Sequence, residues 1–257
     1  MWRHIRIGLL LLALALALWT HWYDRLSTTD WDETLTVGVF PIDAAADEVS
    51  GAYLRNLTDA DVADIEEFFG EEAARYDIAL ARPVRVMMYP PVSEAPPARE
   101  PDSGLVATMW WSLRMRAYAS RASRVSGKPP PQIRIFVHFH DPQFTSKVPH
   151  SVGLQKGLVG VVHAYADDRL RGSNNVVIAH EVLHTLGASD KYDPATLAPL
   201  FPDGFAEPDR EPRYPQRFSE IMAGRRAVNA EESEMPTSLR DALVGEATAL
   251  EIRWVTQ

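Results

Sequence analysis

His180-Glu181-Val182-Leu183-His184-Thr185-Leu186-Gly187-Ala188-Ser189-Asp190 is the stretch that decides what kind of fold this chain adopts. On an α-helix, residues four apart share one face about a turn apart, so the imidazoles of His180 and His184 can reach a single ion while Glu181 projects beside it. A tetrahedral zinc needs this spacing. Neutral imidazoles bind it at about 2.0 to 2.1 Å, and an acid between them can take a proton from zinc-bound water in the open position. Gly187 follows where a residue at positive φ can end the helix and turn the chain back, which places Asp190 to return as third ligand. The same helix carries Val176, Val177, Ala179, Val182, Leu183 and Leu186, the apolar content of a helix buried beneath a sheet. In shuffled chains of this composition a bare HExxH appears in roughly one of sixty, whereas HExxHxxGxxD appears in fewer than about one of ten thousand.

The flanking sequence supplies the sheet. Leu35 to Ile42 (LTVGVFPI), Val84 to Tyr89, Gln132 to His140 and Leu158 to Tyr165 read as strands; in the third, Ile133, Ile135, Val137 and Phe139 share one face with period two. Thr58 to Tyr76 reads as an amphipathic helix capped by Thr58, with Val62, Ile65, Phe68 and Phe69 as its apolar stripe. Leu105 to Ser123 reads as another, with Arg114, Arg116, Arg121 and Arg124 toward solvent. Ser173 is expected to cap the helix that ends near Leu186. Pro90 to Pro101 and the proline-rich Asp190 to Arg217 read as loops, and loops as long as the second usually carry function. A last helix is expected over Leu239 to Trp254. No internal repeat is present. The element order describes an α/β or α+β domain of about 220 residues, expected as α+β with a mixed sheet, a helix carrying HExxH and a C-terminal helix.

Composition removes several classes. The 257 residues include no Cys, so disulfides, thiol catalysis and Cys-ligated metals are excluded, and any metal must be held by His, Asp, Glu or backbone oxygen. A formal charge of −9 with no Lys/Arg block gives no footprint for a phosphate backbone, so nucleic acid is not an expected partner. At the N-terminus Arg3 and Arg6 precede an apolar run from Ile7 to Trp19, with Trp19, Trp22 and Tyr23 at its far end. This pattern reads as a membrane-spanning signal-anchor over residues 1–23, followed by a linker over 24–34 and the domain over 35–257 outside the cytoplasm. A cleaved signal peptide, suggested by Ala15-Leu16-Ala17, would instead release the domain. Beyond residue 23 there are 24 basic and 35 acidic residues, a net −11, so the exported part is not expected to adhere to anionic lipid.

The motif, together with Ser219-Glu220-Ile221-Met222-Ala223-Gly224 downstream, resembles the metzincin side of the zinc metallopeptidases, which carry HExxHxxGxxH/D and a later tight turn with a methionine beneath the metal. The resemblance covers about 45 residues, His180 to Gly224. It implies zinc, with His180, His184 and Asp190 as ligands, Glu181 as general base and Met222 as the turn methionine. Asp190-Lys191-Tyr192-Asp193 is similar to the D-x-Y-D run after the zinc helix of immune-inhibitor-type secreted peptidases. Two other acids remain open as third ligand. Glu220 stands directly before the turn, and Asp193 follows Asp190 closely.

The function expected from these residues is a membrane-anchored, exported zinc peptidase acting on protein or peptide substrates. The alternative is a zinc-stabilised binding or scaffold module at the membrane face, which would not need Glu181. His138 and His140, on the strand face opposite the apolar stripe, and His163 in the next strand are weaker metal or supporting candidates. Tyr192 and Tyr214 fall where related enzymes place a tyrosine near the substrate carbonyl.

Overall fold

The structure, a computed structural model, describes Arg6 and residues 28–43, 48–98, 104–125, 127–145, 151–154 and 158–255. Its centre is a five-stranded sheet in the order β2-β1-β3-β5-β4, formed by β1 (Leu35–Asp43), β2 (Val84–Met88), β3 (Ile133–His140), β4 (Val152–Leu154) and β5 (Val159–Tyr165). Four strands run parallel. Only β4, at the edge, runs antiparallel, pairing Val152 with Val161 and Leu154 with Val159.

Strand alternation divides the core in two. Val37, Val39, Val86, Ile133, Ile135, Val137, Val162 and Ala164 face one side. There they meet helix α2 (Ala63–Arg75) and helix α4 (Arg171–Leu186), which carries the HExxH residues. Phe40, Ile42, Phe136 and Val159 point the other way and meet Met115, Tyr118 and Ala119 of helix α3 (Leu105–Val125). Where helices cover both sides, as at Val39 and Phe40 of β1 and Ile135 and Phe136 of β3, the strands are apolar on both faces. The fold is therefore mixed α/β with a mostly parallel sheet, and the period-two face of β3 lies against α4 as its sequence requires.

The start of α4 is tied to the sheet by buried amides. The Asn174 side chain donates to the Tyr165 carbonyl and accepts from the Tyr165 N–H, while Asn175 donates to the Asp61 carbonyl and to Asp64. Burying Asn is tolerable only when its donors are satisfied, as they are here. Asp167 caps the preceding turn, so the helix begins at Arg171 rather than at Ser173. The helix read from Thr58 begins as a 3-10 turn, Asp59–Val62, with the Asp61 carboxylate accepting from the Thr58 N–H and hydroxyl.

The C-terminal helix departs most from expectation. Leu239–Asp241 forms a 3-10 turn, and Ala242–Leu243 pairs with Ser219–Glu220 as a short parallel ladder. Helix α5 covers only Glu246–Glu251. Backbone pairing with the segment before Met222 outweighed local helix propensity, as tertiary contacts regularly do. Helix α1 (Glu48–Asn56) and edge strand β4 carried too weak a pattern to be read from sequence.

Trp31, in the stretch read as linker, is buried and donates its indole N–H to the Ile252 carbonyl at 2.8 Å. The apolar run from Ile7 to Trp19 lies outside the described residues. Among the described residues no helix is long and apolar enough to cross a membrane.

Candidate metal centre

Backbone carbonyls fix both histidines. His180 Nδ1 donates to the Ile221 carbonyl and His184 Nδ1 to the Ala188 carbonyl, each at 2.9 Å. A carbonyl can only accept, so each ring carries a hydrogen on Nδ1, and its Nε2 donates to Asp190 when the ring is protonated and offers a lone pair when it is neutral. Both Nε2 atoms converge on Asp190, whose Oδ1 lies 3.3 Å from His180 and 3.1 Å from His184. These separations are those of direct imidazole–carboxylate contacts, and they equal the edges of about 3.3 Å in a tetrahedron with bonds of about 2.0 to 2.1 Å. Among the described residues, His180, Glu181 and His184 place one donor atom each within 4.8 Å of one another.

Glu181 occupies a different position from the other three. It is 3 % exposed, and its Oε2 has no hydrogen-bond partner. It lines a cavity of ≈ 240 Å³ together with His180, Val176, Tyr192, Arg225 and Met235. Burial pushes its carboxyl pKa up, against the opposing pull of His180 and His184. An unpartnered buried carboxylate oxygen is costly, which is why burial favours the protonated form of Glu181.

Electrostatics bind the other members together. Burial acts to raise the Asp190 pKa, but hydrogen bonds and charge from His180 and His184 outweigh it and hold the carboxyl well below the usual range. For His184, burial pulls the pKa down, and Asp190, Glu181 and the Ala188 carbonyl more than reverse that. The Tyr192 phenol is pushed up by burial first and then by the Asp190 carboxylate it meets and by Glu181.

The return of the chain to the site depends on one glycine and one clamp. Gly187 sits at φ 107°, left-handed, donating to the His184 carbonyl, and Ala188 N–H reaches back to Leu183 at 3.0 Å. This closure is open to Gly at little cost. Asp190 then lies between two anchored neighbours. Ser189 donates its N–H and hydroxyl to Glu251 of α5, and the buried Lys191 ammonium donates to Glu251 at 2.7 Å and to both oxygens of Ser189. Lys191 N–H donates to the Met222 carbonyl at 3.0 Å, and its own carbonyl accepts from Leu200 at 2.8 Å.

The Ile221–Ala223 turn therefore serves both sides of the site. Ile221 orients His180, Met222 holds the strand of Asp190, and the Met222 side chain is fully buried in the core that contains α4.

The other candidate ligands are occupied elsewhere. Asp193 Oδ1 accepts from the N–H groups of Ala195 and Thr196, closing a local turn. Glu220 is fully buried; it accepts from Thr248 Oγ1 and the N–H groups of Gly245 and Ala223. Only Asp190 of the three approaches both imidazoles. Tyr214 packs against Phe205, whereas Tyr192 borders the cavity.

His138, His140 and His163 form their own cluster across β3 and β5. His140 Nε2 lies 2.9 Å from His163 Nδ1, and the His138 and His163 rings stack at 5.0 Å. Burial pulls all three pKa values down, repulsion from neighbouring imidazoles adds to it at His138 and His163, and His163 falls to about 4. Sequence reasoning missed Ser189, Lys191 and Glu251 as supports. A polar loop gives no sign that its lysine is buried, and Glu251 is sixty residues from Lys191. Compared with protein-family models and with curated proteins, the chain matches none.

Proposed function

We propose that this chain is a zinc-dependent metallohydrolase, a peptidase of metzincin-like architecture, exported and held at a membrane by its N-terminal segment. The observation that carries the reading is Glu181. A buried carboxylate that lines a cavity stands beside two imidazoles that both meet the Asp190 carboxylate. The donor set of two imidazoles and one carboxylate suits zinc. Support for the architecture comes from the antiparallel edge strand beside a parallel sheet, the helix beneath it, and the buried Met222 turn.

In this reading His180 and His184 would hold the ion through Nε2 and Asp190 through Oδ1. A zinc held there would supply Lewis acidity toward a carbonyl and toward water. The Glu181 carboxylate would serve as general base, accepting a proton from the attacking water and returning it to the leaving amine nitrogen. Its raised pKa suits both halves of the task, since a base must also release the proton. Ser151, His163, Tyr192 and Arg225 border the cavity as the remaining polar groups toward a substrate.

The test uses the purified full chain. It should bind about one zinc, and His180→Ala or His184→Ala should abolish binding. Glu181→Gln should keep zinc and fold while hydrolysis of a mixed peptide library, read by mass spectrometry, falls about a hundredfold to ten-thousandfold. Equal rates in wild type and Glu181→Gln would remove Glu181 as base. Zinc bound tightly with no products from either protein would favour the scaffold reading.

A further inference from the structure

Helix α3 covers the sheet with one face and presents a second apolar face to solvent. Met115, Tyr118 and Ala119 are buried against Phe40 and Phe136. On the opposite side Val106, Met109, Trp110 and Leu113 are between 58 % and 80 % exposed. Their spacing of i, i+3, i+4 and i+7 forms one continuous stripe about 10 Å long. Single exposed apolar residues need no explanation, but four large ones in one stripe do.

Charge points to what covers the stripe. The 21 residues of α3 contain no Asp or Glu and carry four arginines, all exposed, in a chain of net charge −9. At 100° per residue Arg114 and Arg116 fall on opposite borders of the stripe, and Arg124 lies on its axis toward the C-terminus. Arg114 and Arg116 make no ion pair among the described residues, and Arg121 reaches Glu94 only at 4.0 Å. Long cationic side chains beside an apolar stripe containing Trp are the arrangement of helices that lie in a membrane interface, with arginines reaching the headgroups. The helix does not qualify as a membrane span, so it would lie along the surface. The net −11 of the exported part argues against adhesion only as an average. Charges separated by more than about 8 Å are largely screened at physiological salt, so the local cluster governs contact.

We propose that the exposed face of α3 docks on an anionic bilayer surface, with Val106, Met109, Trp110 and Leu113 entering the headgroup boundary and Arg114 and Arg116 binding lipid phosphates and carboxylates. Because α3 and α4 lie on opposite faces of the sheet, this docking turns the candidate metal centre away from the membrane. The proposal is independent of the zinc chemistry and adds a second contact to whatever the N-terminal segment provides. Two membrane signals together give a stable attachment where one is marginal.

The absence of cysteine makes the test direct. Leu113→Cys in the full chain, labelled with a polarity-sensitive fluorophore, is compared on vesicles of pure phosphatidylcholine and on vesicles containing about one third phosphatidylserine. Glu67→Cys, exposed on α2 across the sheet, is the control. The label at 113 should become shielded from iodide, with blue-shifted emission, on anionic vesicles alone, while the label at 67 stays accessible. Arg114→Gln with Arg116→Gln should weaken docking about 25-fold, at about fivefold for each arginine near an anionic surface. An accessible label at 113 on anionic vesicles would overturn the proposal. So would equal shielding on neutral vesicles, or shielding without vesicles, which would mean that another segment or a second copy of the chain covers the stripe.

Discussion

On the proposed zinc reading, replacing Lys191 by Met should weaken metal binding without touching any of the residues proposed to hold the ion. Lys191 is 7 % exposed at its side chain and makes three bonds, to Glu251 at 2.7 Å and to the Ser189 carbonyl and hydroxyl at 2.9 and 2.8 Å. Removing one partner of a buried ion pair costs about 3 to 5 kcal/mol when the abandoned charge stays dry. Glu251 is 31 % exposed and keeps its bonds from Ser189, so solvent takes up part of its charge and the expected destabilisation is nearer about 2 kcal/mol. The metal effect is separate. Ser189 and Lys191 flank Asp190, and loss of the clamp frees the backbone that aims its Oδ1. Supports of metal ligands are worth about tenfold to a hundredfold in affinity, so Lys191→Met should fall in that range and Asp190→Ala beyond it. Competition against a chelating dye measures zinc affinity, and urea unfolding of the metal-free protein measures stability. Lys191→Met that loses stability but binds zinc within twofold of wild type would show that the clamp stabilises the domain without positioning Asp190.

Other perturbations separate fold from chemistry. Leu183→Ala, at a fully buried position of α4, should cost about 2 to 5 kcal/mol in urea unfolding while one zinc per chain is retained; a neutral effect would contradict the packing of α4 on the sheet. Gly187→Ala, at φ 107°, should cost about 1 to 2 kcal/mol and also reduce zinc affinity, since the turn it closes carries Asp190; wild-type values of both would refute the role of that turn. For pH, Glu72 and Glu220 both have carboxyl pKa values raised by burial above the ordinary 4.5. A raised folded-state pKa means that the fold favours the protonated form. Their contribution is therefore complete below about pH 4.5 and is lost as pH rises through the raised values. Thr248→Val, which removes a donor to ionised Glu220, should steepen this loss in urea unfolding between pH 4.5 and 7. An unchanged slope would mean that Glu220 does not titrate there.

The four parallel strands and α4 were legible because their signals are local. Alternating apolar residues in β3 and an apolar helix ending in Gly187 each specify an element within about ten residues. The segment from Leu239 to Trp254 was misread for the same reason. Its local pattern allows a helix, but Ala242–Leu243 is pinned beside Ser219–Glu220, and Val244 N–H donates to the distant Glu72. Edge strand β4 has three residues and depends on β5 for its conformation, so no periodicity could announce it.

At the candidate site, the sequence by itself determined which atoms could meet. Helical spacing places His180 and His184 on one face with Glu181 beside them, and Gly187 permits the return toward Asp190. Tertiary structure alone distinguishes the three acids. Asp190, Asp193 and Glu220 are equivalent as carboxylates, and they differ in which groups satisfy them: turn N–H groups for Asp193, buried donors for Glu220, and the two imidazoles for Asp190. A buried carboxylate is committed to the donors that surround it, and those donors come from segments tens of residues away. The same physics left Lys191 and Glu251 invisible in sequence, because a lysine is buried only where a partner from another element makes that burial affordable.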